Sequence, residues 1–200
     1  MGFSAEVRWP LTPEQVLKGY RMGFFPMAPG RDSSEIHWFS PDPRGVLPLD
    51  RFRIPRTLAR LYRQGRFEVR YNTAFEAVIR ACADRAETWI SERIIAVYGE
   101  LHRQGWAHSV ESWRQGQLVG GLYGVSIGGA FFGESMFHRE RDASKVALVA
   151  LVERLRARGF ALLDVQWVTP HLARFGAVAI PRSAYLGLLR DALRLPVRFV

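Results

Sequence analysis

The sequence predicts an α+β fold: a mixed β-sheet with flanking helices, preceded by a small N-terminal domain. Three observations lead there. Residues 107–137 carry three strand-like runs in succession, residues 142–159 form a long helical stretch, and residues 160–168 read as one more buried strand. A meander followed by a helix and a further strand gives a mixed sheet covered by helices, not a regular alternation of strand and helix.

Residues 1–50 are rich in Pro, Gly and aromatics. Only "TPEQVLKGYRMG" patterns as a helix there, with Thr12 as N-cap, Pro13 in the first turn and Gly23 near the end. Loops and short strands pinned by aromatics fill the remainder, so residues 1–50 are expected as the small domain and 51–200 as the main one. In "PRTLARLYRQG" a helix puts Leu58, Leu61 and Tyr62 inward and spaces Arg56, Arg60 and Arg63 along another face. "FEVRYN" alternates as a strand. "TAFEAVIRACAD" predicts a helix capped by Thr73, with Glu76 completing a capping box. "SERIIAVYGELHRQG" predicts another, capped by Ser91 and stopped at Gly105. The meander turns at Gln115-Gly116 and Gly128-Gly129. In "DASKVALVALVERLRARG", Val146, Leu148, Val149, Val152 and Leu155 face inward and Gly159 ends the helix. "TPHLARFG" and "PRSAYLGLLRDAL" close the chain as helices. The same order of elements occurs in the acetyltransferase-like superfold.

With 48% hydrophobic residues, six Trp and thirteen Phe in 200 residues, the chain is expected to build a packed core. One cysteine, Cys82, excludes an intramolecular disulfide and a cysteine-based zinc site. No apolar run approaches a membrane span, "MGFSAEVRWP" is not a signal peptide, and Gly2 with Ser4 is a poor myristoylation match. A soluble, cytoplasmic protein is expected. The formal charge of +9, with 26 Arg against two Lys, fits a polyanionic partner such as nucleic acid; scattered solubilising arginines are the other reading.

Several chemistries lack their motifs. There is no phosphate-binding GxxxxGK[ST] loop and no HExxH, and the five histidines are scattered. The Gln/Arg-x-x-Gly-x-Gly/Ala turn that holds the CoA pyrophosphate in acetyltransferases is replaced by "HRERDASKVA", which disfavours CoA. What stands out is polar residues in apolar strands. Glu134 lies in "GGAFFGESMFHR" among Phe131, Phe132, Met136 and Phe137. It is either an exposed turn acid or a polar group at the mouth of a hydrophobic pocket. In "ALLDVQWV", alternation puts Leu162, Asp164 and Gln166 on one face and Leu163, Val165 and Trp167 on the other. Asp164 is either a structural acid bonded to backbone or to a nearby Arg, or part of a cleft with Glu134 and Gln166 suited to a cationic acceptor.

The runs "YRMGFFP", "WFSPDPRGVL", "TWI", "HSVESWRQGQLVGGLYGV", "FFGESMF", "ASKVAL", "LLDVQ" and "FGAVAIPRSAYL" resemble the leucyl/phenylalanyl-tRNA–protein transferase family, in order, from about residue 20 to 190. The resemblance implies an acetyltransferase-like domain that uses no CoA, needs no cofactor and binds no metal. It implies transfer of Leu or Phe, and Met less efficiently, from aminoacyl-tRNA to proteins beginning with Arg or Lys, in the N-degron pathway of bacterial proteolysis. Family members begin with a longer leader carrying a Gly-Gly-Asp-Leu-type run; "EVRWPLTPEQVLKGY" stands in its place, so a trimmed leading domain is expected.

Residue by residue, the resemblance implies Asp164 and Gln166 as the catalytic pair. Gln166 accepts a hydrogen bond from the attacking amine, Asp164 orients that amide, and Glu134 holds the acceptor's positive N-terminal residue. Trp89, Leu122, Phe131, Met136, Leu151 and Leu163 are assigned to the donor side-chain pocket, though each alone is equally an ordinary core residue. Trp38, with Tyr20, is the expected stacking surface for the terminal adenosine. Arg56, Arg60 and Arg63 are expected against the tRNA backbone on helical spacing. Two alternatives stay open: an acetyltransferase-like enzyme using another acyl donor, and a non-enzymatic RNA-binding module.

Overall fold

The computed structural model describes residues 9–200; Gly2, Ser4 and the other residues up to position 8 lie outside the described residues. The chain runs α1 (Pro13–Arg21), β1 (Phe25–Met27), β2 (His37–Phe39), β3 (Arg44–Val46), α2 (Arg56–Arg63), β4 (Glu68–Tyr71), α3 (Phe75–Ala83), α4 (Glu92–Arg103). It continues β5 (Ala107–Arg114), β6 (Gln117–Ile127), β7 (Ala130–His138), α5 (Ala143–Ala157), β8 (Leu162–Gln166), α6 (Pro170–Ala173), β9 (Val178–Ile180), α7 (Arg182–Leu193). The expected meander is β5-β6-β7, and the strand after the long helix is β8.

Seven strands form one sheet in the order β4-β5-β6-β7-β8-β3-β9, and β1 pairs with β2 apart from it. Every neighbouring pair in the large sheet is antiparallel except β7 and β8, which the α5 crossover makes parallel. The period-two alternation sends Tyr123, Val125, Phe132 and Leu162 to a core shared with α1, α3, α4 and α7. Leu122, Phe131 and Leu163 go to the opposite core, filled by α5 and Leu58 of α2. The mixed α+β prediction holds.

The larger sheet takes in Arg44–Val46, on the N-terminal side of residue 50, with Leu47 and Leu49 in its core. Gly45 makes this approach possible, because a Cβ there would lie 2.7 Å from the Trp167 backbone.

Thr12 caps α1 as expected, its Oγ1 accepting from the Gln15 amide at 3.2 Å. The capping box on α3 does not form. Ala74 holds the N-cap position, and the buried Glu111 carboxylate on β5 accepts from the Thr73 and Ala74 amides, both at 2.9 Å, and from the Thr73 hydroxyl. A full negative charge on a neighbouring strand outcompetes a neutral hydroxyl for the free amides of the helix end. Glu76, freed from that role, pairs with Arg80 at 3.0 Å. Ser91 occupies the N-cap position of α4, but its hydroxyl makes no capping bond.

β7 and β8 pair at Ala130–Leu162, Phe131–Leu163 and Phe132–Asp164, and no further. A register shift at Tyr123/Gly124 displaces β7 against β6 at this level. Beyond Phe132 the two parallel strands part, and Glu134 and Gln166 face each other across the opening.

Candidate active site

Asp164 is fully buried and lies outside the cavity lining. Its carboxylate receives the Arg44 guanidinium at both oxygens, Nε to Oδ1 at 3.0 Å and Nη2 to Oδ2 at 2.7 Å. The Tyr185 hydroxyl donates to Oδ2 at 2.7 Å, and the Gln166 backbone amide to Oδ1 at 2.8 Å. Four donors satisfy this acid, which therefore has no lone pair to spare for a substrate. Of the two readings open from sequence, bonding to backbone and to a nearby Arg is the one the structure shows. Arg44, itself fully buried, also donates to the Gly23 carbonyl at 2.9 Å and lies over the Phe25 and Tyr185 rings.

The bond from Asp164 to its amide helps hold Gln166 at φ 62, in the left-handed region. The Gln166 side chain lines the cavity together with Leu163 and Val165. There its Nε2 donates to Glu134 Oε1 at 2.8 Å. The side-chain amide is thus oriented by Glu134, and Asp164 holds only the backbone. An amide whose NH₂ is engaged in this way has its oxygen left to accept.

Glu134 is 9% exposed and closes the other side of the gap. Its Oε1 also accepts from the Tyr20 hydroxyl at 2.6 Å, while Oε2 has the Tyr98 hydroxyl at 3.4 Å; the two tyrosine oxygens are 2.5 Å apart. Burial pushes this carboxyl up to about 8, against the opposing pull of the tyrosine donors and Arg44. Its lesser-bonded Oε2 is the oxygen to carry a proton or to meet a cation.

Around these two groups is a cavity of roughly 290 Å³, walled by Leu122, Met136, Leu148, Leu151, Leu163 and Val165, with Trp89, Met27 and Trp167 also in its lining. The structure brings together Glu134, Gln166, Trp89, Leu122, Met136, Leu151 and Leu163. Phe131 does not line the cavity; it is buried in the α5-side core against Phe199. Trp38 is 2% exposed, bonded through its indole N–H to the Trp9 carbonyl at 3.2 Å and packed edge-on against Trp9. It offers no face for a base. Tyr20 is buried as a partner of Glu134. Exposed aromatic surface at the cavity belongs instead to Trp167, 42% exposed, and to the half-buried Trp89. Arg56, Arg60 and Arg63 are exposed on α2, whose other side packs on α5 through Leu58 and through a Tyr62–Glu153 hydrogen bond of 2.7 Å.

Sequence reasoning missed Arg44, Tyr98, Tyr185 and Met27. A signal for Arg44 was present: in "RGVL" an Arg begins a short apolar run, and an inward Arg needs a carboxylate such as the odd acid in "LLDVQ".

The sheet opens between two parallel strands, and the apolar cavity there ends at a carboxyl–amide pair. Family models match the chain over most of its length. That of the leucyl/phenylalanyl-tRNA protein transferase matches residues 46–190, and that of its N-terminal domain residues 10–42. The chain is 60% identical over 189 residues to the leucyl/phenylalanyl-tRNA–protein transferase of Gloeobacter violaceus, covering 94% of this chain and 97% of that one. It is 56% identical over 188 residues to the enzyme of that name from Paramagnetospirillum magneticum, covering 92% and 90%. Among solved structures, L-PGS from Bacillus licheniformis aligns over 90% of this chain and 70% of its own, with 11% identity and a TM-score of 0.45. The chain belongs to the leucyl/phenylalanyl-tRNA–protein transferase family.

Proposed function

We propose that the protein moves Leu or Phe, and Met less efficiently, from aminoacyl-tRNA to the α-amino group of proteins beginning with Arg or Lys, as a step of the bacterial N-degron pathway. The observation that carries this reading is the pairing of an apolar cavity with Gln166, whose amide is held by Glu134 at 2.8 Å. The donor side chain fills the cavity. The acceptor amine attacks the ester carbonyl, a C–N bond forms, and the C–O bond to ribose breaks, with the amine's proton balancing the released hydroxyl.

An α-amine with a pKa near 7.7–8.0 is already partly the free nucleophile at neutral pH, and the ester is activated. Positioning is therefore the main requirement, and well-oriented groups contribute about 7–11 kcal/mol. Gln166 orients the attacking N–H through its free oxygen. The neutral amide serves as a guide for the nucleophile and is too weak a base to store the proton. Glu134 meets the acceptor's cationic residue: a positive charge beside Oε2 favours the ionised form, so acceptor binding releases a proton. Asp164 and Arg44 hold the backbone that presents Gln166.

The lining of Leu and Met side chains accepts Leu, Phe and Met shapes, and Met136 adapts between them. Shape alone separates apolar side chains by about 1–3 kcal/mol per methylene, so leakage to Met is expected. Transfer to an Arg-initiated peptide should be efficient from Leu-tRNA and Phe-tRNA and poor from Val-tRNA and Ile-tRNA. Equal transfer from all four would overturn the donor assignment.

A further inference from the structure

Two further clefts border the donor cavity, and they differ in chemistry. One shares Met27 and Trp89 with it and continues past Pro29, His37 and Phe39. Its lining holds one arginine, Arg31, which donates to the Ala83 and Arg85 carbonyls, both at 3.0 Å. The other shares Arg85, Met136 and His171 with the donor cavity and runs past Arg139, Arg141 and Lys145. Two acids also line this groove, Asp84 and Asp142, against four cationic side chains. Asp142 is taken up by Lys145 at 2.5 Å and by Arg141 at 3.6 Å. Among the described residues, neither Arg85 nor Arg139 is in an ion pair; Arg85 donates to the Ser135 hydroxyl and the Met136 carbonyl, and Arg139 to the Leu118 carbonyl at 3.5 Å. The shared wall carries a second mark: the His171 Nε2 is buried without a hydrogen-bond partner among the described residues. Positive charge crowds it, since Lys145, Arg174 and His138 add to burial in holding its pKa below the usual value.

Cations facing one another without enough acids are repulsive in the empty protein and favourable around an anion. An aminoacyl-tRNA brings one to this place. With the amino acid in the apolar cavity, the ribose sits at its mouth, and the next groups outward are the base and the phosphate on its 5′ side. We propose that the cationic groove seats this phosphate, leaving the base to the aromatic cleft. The three connected cavities then divide the donor's end by chemistry: side chain, base and phosphate. The inference rests on the proposed donor reading and adds a site to it. It also accounts for the replacement of the glycine turn by "HRERDASKVA": the site uses side-chain charge for a single phosphate where an acetyltransferase wraps backbone amides around two.

The test uses the whole protein and two non-consumable donors. These are adenosine carrying phenylalanine through a 3′-amide in place of the ester, with and without a 5′-phosphate. Titration calorimetry on the parent should show the phosphorylated form binding about tenfold tighter or more, as for a hydrogen bond to a charged group. In Arg139→Gln/Lys145→Gln the preference should fall to within about twofold while the unphosphorylated form binds as in the parent, which also reports that the donor cavity is folded. Arg139→Lys alone should keep most of the preference. Equal binding of both forms to the parent, or a preference that survives the double substitution, overturns the phosphate site alone. Failure of both forms to bind the parent overturns the donor reading and the site with it.

Discussion

Replacing Arg44 with Met removes the charge that neutralises Asp164 while keeping an apolar side chain of similar length. The variant leaves Asp164, with no exposure to solvent, holding two of its four hydrogen bonds, those from Tyr185 and the Gln166 amide. The Gly23 carbonyl also loses a donor at 2.9 Å. Removing one member of a buried ion pair costs about 3–5 kcal/mol, because the other charge stays behind uncompensated. For a chain of this size each kcal/mol lowers Tm by about 2–4 °C, so the expected drop is about 6–20 °C. The double variant Arg44→Met/Asp164→Leu removes the stranded charge and should recover a good part of that loss. It should not recover transfer, since the Gln166 amide has lost the acceptor that holds its left-handed backbone. The assay is thermal unfolding followed by circular dichroism, together with kcat and KM for Leu transfer. A single variant melting with the parent, or a double variant with the parental kcat, would refute the claim that this pair positions Gln166.

Three other outcomes follow from the same geometry. The folded protein holds the Glu134 proton up to about pH 8, whereas an ordinary carboxyl ionises near 4.5, so the parent should lose stability relative to Glu134→Gln as pH rises through that window. Denaturant titrations at several pH values check this, and a stability difference independent of pH would contradict it. Met136→Ala should weaken a Phe-adenosine analogue by about tenfold or more, and unchanged affinity in a folded variant would remove Met136 from the donor pocket. Arg60→Ala, on the exposed face of α2, should weaken all accepted aminoacyl-tRNAs alike and lower the salt slope by about 0.7–0.9; a parental slope would place Arg60 outside the interface.

Where a local pattern decided the outcome, the sequence was readable. Thr12 before Pro13, the turns around Gln115-Gly116, and the inward row from Val146 to Leu155 act within a few residues, and each appears as expected. What was not legible depends on partners far along the chain. Thr73 and Glu76 satisfy the local capping rule, yet Glu111 arrives from another strand with a stronger acceptor. Arg44–Val46 is too short to announce itself as a strand; it is fixed by β8 and β9 on either side and by the Arg44–Asp164 pair. Strict alternation put Gln166 on the face of Asp164 but gave no sign of its left-handed backbone or of its place in the cavity lining. Glu134 was legible as a candidate: an acid among three Phe and a Met is either an exposed turn acid or a polar group at a pocket, and it is buried at the cavity. Trp38 was misplaced because exposure cannot be read from a conspicuous aromatic, and burial against Trp9 and Gly19 makes it core.

The central claim, that an apolar pocket and a Glu134-held amide join a donor amino acid to a cationic acceptor, is tested most directly by transfer of labelled Leu from Leu-tRNA to four peptides. They are identical except for an N-terminal Arg, Lys, Asp or Glu. The account predicts labelling of the Arg and Lys peptides, little or none of the Asp and Glu peptides, and loss of that discrimination in Glu134→Gln. Equal labelling of all four by the parent, or undiminished selectivity in Glu134→Gln, would contradict it.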